Sequence, residues 1–166
     1  MSIGSGSTDG SFGSGGVTNS GTIVLNRSND FTVSNAISGT GVLNVNGTGA
    51  VTLSATNNYT GLTTVNSGAL VLSGGAAILD TASVALADVA GATLRLSSNE
   101  TFATLTGGGV SGGTVDLQSN TLTLSSPTNA TYAGAITGSG NLAKGNSNTL
   151  TSVSYTHLRA HETEAD

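Results

Sequence analysis

The sequence predicts an all-β chain wound into a parallel β-helix (solenoid), incomplete at both ends, and three observations lead there. Short runs of alternating apolar and polar residues recur roughly every 8 to 12 residues, each long enough for one strand with a single apolar face. Small residues punctuate these runs: the 166 residues include 25 Gly, one Pro, no Trp and no Cys, a mixture suited to many tight turns. The chain also repeats itself. Ala36-Ile37-Ser38-Gly39-Thr40-Gly41-Val42-Leu43 reappears as Ala135-Ile136-Thr137-Gly138-Ser139-Gly140-Asn141-Leu142, and Asn57-Asn58-Tyr59-Thr60-Gly61 is echoed by Asn129-Ala130-Thr131-Tyr132-Ala133-Gly134. Spacing alone suits a sandwich or barrel equally well. Repeated strand units with small corners favour a coil in which each rung covers the apolar face of the last.

Taken in order, residues 1–18 form a Gly/Ser-rich lead, read as partly disordered or as an incomplete rung. Met1-Ser2-Ile3-Gly4-Ser5-Gly6 has neither the basic region nor the apolar run of a signal peptide, and no stretch reaches the length of a membrane span; an exported chain of this kind is expected to be an internal piece. Strands are then predicted at Thr22–Leu25, Phe31–Val33, Val42–Val45, Val51–Leu53, Ala69–Leu72, Thr93–Leu96, Thr114–Leu117 and Leu122–Leu124. Only Ala76 to Ala90 hints at helix, through its Ala content with Leu79, Leu86 and Val89, but Thr81 and Val84 also suit a turn and a strand. It reads as a loop leading into a strand. Residues 19–151 make up the solenoid, and at about 20 to 25 residues per rung the stretch from Gly21 to Thr151 makes roughly six rungs and a rod of about 30 Å.

Composition narrows the function. Hydrophobic residues are 36% of the chain and aromatics 4%, so the core must be built from small aliphatics. A mean hydropathy of +0.13 separates the chain from disordered sequences, which combine low hydrophobicity with high charge. With a net charge of -5 and four Lys and Arg in all, nucleic acid is excluded as a partner, since phosphate binding needs clustered cations. The absence of Cys rules out disulfides and thiolate metal sites.

Motifs that carry chemistry are few. Gly140-Asn141-Leu142-Ala143-Lys144-Gly145-Asn146-Ser147 has the glycine spacing of a phosphate loop, but Asn146 stands where Lys is needed, and a solenoid turn is the better reading. Gly112-Gly113-Thr114-Val115-Asp116-Leu117 approaches a calcium-binding nonapeptide without its third Gly and with Asp116 one place early. Hydrolytic β-helices cluster carboxylates with Arg or Lys along one groove, and the candidates are Asp80, Asp88, Arg95, Glu100 and Asp116; so sparse a set reads as surface charge. The two His lie in the tail, which leaves no imidazole to activate a Ser. No catalytic, cofactor or metal site is therefore expected. Five Asn-x-Ser/Thr sites, at Asn26, Asn46, Asn58, Asn99 and Asn129, mark expected surface turns. Tyr59 and Tyr132, in matching places of the two echoing units, are read as packing a turn against its neighbour, with exposed sugar contacts as the alternative.

A family resemblance rests on Asn19-Ser20-Gly21-Thr22-Ile23-Val24, Ile37-Ser38-Gly39-Thr40-Gly41, Gly47-Thr48-Gly49-Ala50-Val51-Thr52-Leu53-Ser54 and Tyr59-Thr60-Gly61-Leu62-Thr63-Thr64-Val65-Asn66-Ser67-Gly68-Ala69-Leu70. Over about residues 19–151 the chain resembles the autotransporter-associated β-strand repeat of bacterial type V secretion passengers, and Gly91-Ala92-Thr93-Leu94 with Asn120-Thr121-Leu122-Thr123-Leu124 is similar to that family's inter-repeat segments. Ala55-Thr56 departs from it where Gly is usual, and Asn44-Val45-Asn46 where Lys often lies. The resemblance implies a right-handed parallel β-helix, outside the cell or on its surface, exported through the outer membrane by a C-terminal β-barrel translocator that this chain does not contain. The expected role is a non-catalytic stalk. Alternatives are an adhesin-type module that binds glycans or sister chains and, less favoured, a carbohydrate-active enzyme.

The last residues differ in kind. Val153-Ser154-Tyr155-Thr156-His157-Leu158-Arg159-Ala160-His161-Glu162-Thr163 resembles the translated transposon-end adapter of sequencing libraries, and residues 152–166 are read as a non-native tail. Both His, one of four basic and three of nine acidic residues lie between His157 and Asp166. In addition, Asn148-Thr149-Leu150-Thr151 parallels Gly49-Ala50-Val51-Thr52, after which Ser152 replaces the expected Leu. The alternative is an amphipathic C-terminal helix.

Overall fold

The computed structural model describes residues 1–152; the tail reading at 153–163 lies outside them. Among the described residues there is no helix, and nineteen strands, numbered in chain order, are joined by corners of small residues. All their pairings are parallel.

One face is an eight-stranded sheet of β1 (Ser2–Ser7), β3 (Thr22–Arg27), β6 (Val42–Val45), β8 (Thr63–Val65), β10 (Ser83–Leu86), β13 (Thr104–Gly107), β16 (Ala130–Tyr132) and β19 (Leu150–Ser152). A second face stacks β4 (Phe31–Val33), β7 (Ala50–Leu53), β9 (Ala69–Leu72), β11 (Thr93–Leu96), β14 (Thr114–Asp116) and β17 (Ile136–Thr137). The third position of each circuit, after a second-face strand and before the next first-face strand, has two short sheets. Near the N-terminal end lie β2 (Val17–Thr18) and β5 (Ile37–Ser38); towards the other end lie β12 (Glu100–Phe102), β15 (Thr121–Leu124) and β18 (Asn141–Lys144). The chain visits the faces in turn, so each first-face strand marks one rung and the protein is a parallel β-solenoid of about eight turns.

Along the first face Leu25, Val45, Val65, Leu86, Gly107, Tyr132 and Ser152 are paired one to the next. These six steps are the rungs expected between Gly21 and Thr151, and their lengths fall in the predicted 20 to 25 residues. The lead adds a further rung, because β1 pairs Ile3 with Leu25. Seven spacings of about 4.8 Å make the stack about 34 Å tall. Residues 76–82 form a turn-rich loop that leads into β10, as the sequence predicts.

Alternation directs one residue in two inward. Phe31, Val51, Leu70, Leu94, Val115 and Ile136 form one apolar column on the second face, and Ile23, Leu43, Thr63, Val84 and Leu105 form another on the first. All but the partly buried Phe31 are sealed from solvent, and each aliphatic member stabilises the stack by about 1.5–3 kcal/mol. At one corner Gly21, Gly41 and Gly61 recur at 20-residue spacing. A Cβ on Gly61 would lie 2.2 Å from the Gly41 carbonyl oxygen, and one on Gly41 2.4 Å from that of Gly21. Only glycine lets successive rungs approach so closely there.

The sequence echoes are not stacked on equivalent faces. Ile37 lies in β5 at the third position, whereas its counterpart Ile136 lies in β17 on the second face. Likewise Val51 is on the second face and Leu150 on the first. Tyr132 is a strand residue of β16, while Tyr59 precedes β8, so the two tyrosines do not occupy matching places. The three faces ask for the same apolar alternation, so similar sequences serve one position out of phase.

Candidate functional site

The five charged residues singled out from the sequence fall into separate settings. Arg95 in β11 and Asp116 in β14 face outward as direct register partners, joined by an ion pair of 3.1 Å with side chains 47% and 19% exposed. Partial burial acts to raise the Asp116 carboxyl, but the Gln118 backbone N–H and side-chain amide and the Arg95 guanidinium outweigh it and hold the group below its ordinary range. Asp88 is a corner residue whose Oδ1 accepts the backbone N–H groups of Ser111 and Gly112 at 2.7 and 2.9 Å, which fixes the glycine-rich loop between β13 and β14. Asp80 is exposed, and its backbone carbonyl accepts from Ser125 Oγ at 2.7 Å. Among these four, only Arg95 and Asp116 are brought together by a bond.

Glu100 is different. The sequence reading makes it surface charge, but the structure buries it to 2% exposure, because its place in β12 points inward, in register with Leu122. Its Oε1 accepts the Ile78 N–H at 2.9 Å, and Oε2 is buried with no hydrogen-bond partner. Burial pushes this carboxyl above its ordinary value, helped by the negative charge of Asp80 and opposed by the N–H groups of Ile78 and Ala77.

Asn57 is the matching device two rungs earlier, on the other side of the Ala77–Ile78 rung, and its place in the echo is its only signal in the sequence. It is 3% exposed; Oδ1 accepts the Ile37 N–H at 2.7 Å, while Nδ2 donates to Ala77 O at 2.9 Å and Ala55 O at 3.1 Å. Its amide therefore stands in for a strand between the rungs above and below. Next to it, Thr63 occupies an apolar column and is buried. The hydroxyl is satisfied by Tyr59 Oη at 2.6 Å, so the Tyr-x-x-x-Thr spacing of the signature at 59–65 is an internal hydrogen bond. Tyr132 is also buried and donates to Gly113 O. Burial raises both phenols far above their usual range. Packing is thus the role the structure gives both tyrosines, and the exposed sugar-contact alternative is overturned.

The phosphate-loop look-alike at 140–147 is strand β18 followed by a corner, with the Gly145 N–H bonded to Leu124 O. In the calcium look-alike, Asp116 is engaged by Arg95 and Gln118. Among the described residues no group of three or more His, Cys, Asp and Glu is placed to hold a metal ion. What faces solvent is the outward column Thr32, Thr52, Val71, Arg95, Asp116 and Thr137 on the second face and the corner loop that carries Val110, fully exposed at its tip. Such surfaces can present rows of hydroxyls; the described carboxylates that accept backbone N–H groups or ion pairs hold loops and rungs in place. Compared with protein-family models, with the curated proteins and with the solved structures, the chain finds no match.

Proposed function

We propose that the chain is a structural stalk segment of a secreted or surface-displayed bacterial passenger of the autotransporter type, outside the cell and without catalysis of its own. The observation that supports it best is the unbroken eight-strand parallel ladder of the first face, a rod whose length grows by one strand spacing per rung. Its charged side chains at 88, 95, 100 and 116 are engaged in holding corners and rungs. The residues at 19–70 that resemble the autotransporter-associated repeat point the same way. In this reading a C-terminal β-barrel translocator belongs to the parent protein, and the stack holds a functional tip away from the membrane.

The test places the chain between an epitope tip and an outer-membrane β-barrel translocator in a Gram-negative host, with antibody access to the tip read on intact cells. The native chain is expected to display the tip, and Leu94→Asp, which breaks an apolar column, to reduce display severalfold. Equal display by both would overturn the stalk reading. An adhesin reading draws on the outward hydroxyls of Thr32, Thr52 and Thr137, and specific retention on a glycan array, lost on changing those three to Ala, would favour it.

A further inference from the structure

The second face begins one rung late. Its end strand is β4, and in the rung above it the corresponding stretch, residues 8–16, forms no strand. Register places this stretch beside β4: Val17, which follows it, pairs with Ile37, and the backbone of Gly16 lies against the Ala36 carbonyl. No backbone-to-backbone hydrogen bond of residues 8–16 appears among the described residues. Side chains grip it instead. Arg27, just before β4, donates to the carbonyls of Thr8 and Gly10 while its guanidinium also holds Asn29 Oδ1 and lies 4.6 Å over the Phe31 ring. Asn35, just after β4, donates to Gly13 O and Gly15 O at 2.5 and 2.6 Å. Between these grips Phe12 packs against the core.

The covered edge retains its pairing capacity. The Val33 carbonyl is bonded to Ser54 in the rung below, and since neighbouring residues of a parallel strand turn their backbone groups to opposite sides, Thr32 directs its N–H and C=O towards residues 8–16. Thr32 is exposed. We propose that residues 8–16 are a releasable strap, locked by Arg27 and Asn35, and that its release opens the β4 edge to strand addition by a second copy of this chain. A second copy can supply the strand because β17, at the other end of this same face, carries the apolar-Thr pair Ile136-Thr137 and, among the described strands, is seated in parallel register on β14 alone. Bare strand edges recruit such segments, and proteins cover them for that reason.

The experiment compares the native chain with Arg27→Gln/Asn35→Ala by mapping chymotrypsin cleavage after Phe12 and by sedimentation. Cleavage at Phe12 is expected to rise at least tenfold and self-association at least tenfold, with Thr32→Pro in the same background, which removes the edge-facing N–H, restoring the native association. Unchanged cleavage, or association that persists with Thr32→Pro, overturns the proposal. Should the double variant fail to fold, Asn35→Ala alone leaves the Arg27 grip intact, and a severalfold rise in Phe12 cleavage supports the strap while no rise overturns it.

Discussion

From Glu100 to Lys144 the third position of the rungs is joined by backbone, β12 to β15 to β18 in unbroken register. From Ile37 to Glu100 it is joined largely by side chains: Asn57 bridges Ile37 and Ala77, and Glu100 reaches back to Ile78. Backbone bonds are sparse there, running from Asn58 to Ile37, from Thr60 to Gly39 and from Asn57 to Ala76. Gly74 and Gly75 have φ of 98° and 78°, a conformation that interrupts an extended strand. Where the ladder carries the load, each strand is replaceable by any apolar alternation; where an amide or a carboxyl carries it, a single residue holds the rungs together.

Asn57→Leu is the sharpest way to break that contrast. It strands the Ile37 N–H and the Ala77 C=O in the interior, each at about 1–3 kcal/mol, so a loss of about 4 kcal/mol is expected in urea unfolding. Leu122→Ala, in the backbone-joined half, removes only packing and is expected to cost about 3 kcal/mol, with hydrogen exchange raised around β12, β15 and β18 rather than at 55–80. Thr63→Val keeps the shape of the apolar column but leaves the Tyr59 hydroxyl unpaired, and about 1–2 kcal/mol should be lost by the same measure.

Glu100 adds pH to the comparison. Because its folded carboxyl titrates above the ordinary 4.5, the unfolded chain ionises first as pH rises, and the folded state binds more protons over that interval. Its contribution is fully present below the ordinary value and is lost as pH rises through the raised one. The urea midpoint of the native chain should therefore fall on going from acid towards neutral pH, and Glu100→Gln, which keeps a carbonyl acceptor for Ile78, should flatten that decline. The smallest effect is expected from Arg95→Ala: an exposed ion pair contributes about 0–1 kcal/mol, so a thermal midpoint that shifts by more than a few degrees would mean that Arg95 does more than pair with Asp116.

Most of the strands were legible because their signal is local. Phe31–Val33, Thr93–Leu96 and Leu122–Leu124 alternate apolar and polar side chains, and the structure makes each of them a strand segment with one face inward. Face assignment was not legible, since it depends on how many residues each corner uses. The step from Gly107 to Tyr132 is longer than its neighbours, and such a difference moves every later echo around the axis without altering any strand. Glu100 was visible as a carboxylate but not as a buried one; the sign was its phase, two residues before Phe102 on the inward side of β12. Arg27 and Asn35 escaped notice. The available clue was a solitary cation beside Phe31 in a nearly uncharged stretch, following a glycine-rich segment too polar to pack without an anchor.

The glycine corner at Gly21, Gly41 and Gly61 bears on how a gene for such a protein can lengthen. Because a Cβ at Gly41 or Gly61 would meet the backbone carbonyl one circuit earlier, a duplication of one complete repeat carries its own glycine to the new junction. An insertion of one or two codons within the repeat instead sets a side chain against a carbonyl. The corner thus acts as a reading gauge on inherited change: it admits growth in whole circuits and rejects most fractions of one, except at wide corners such as 107–113, where extra residues leave the column untouched.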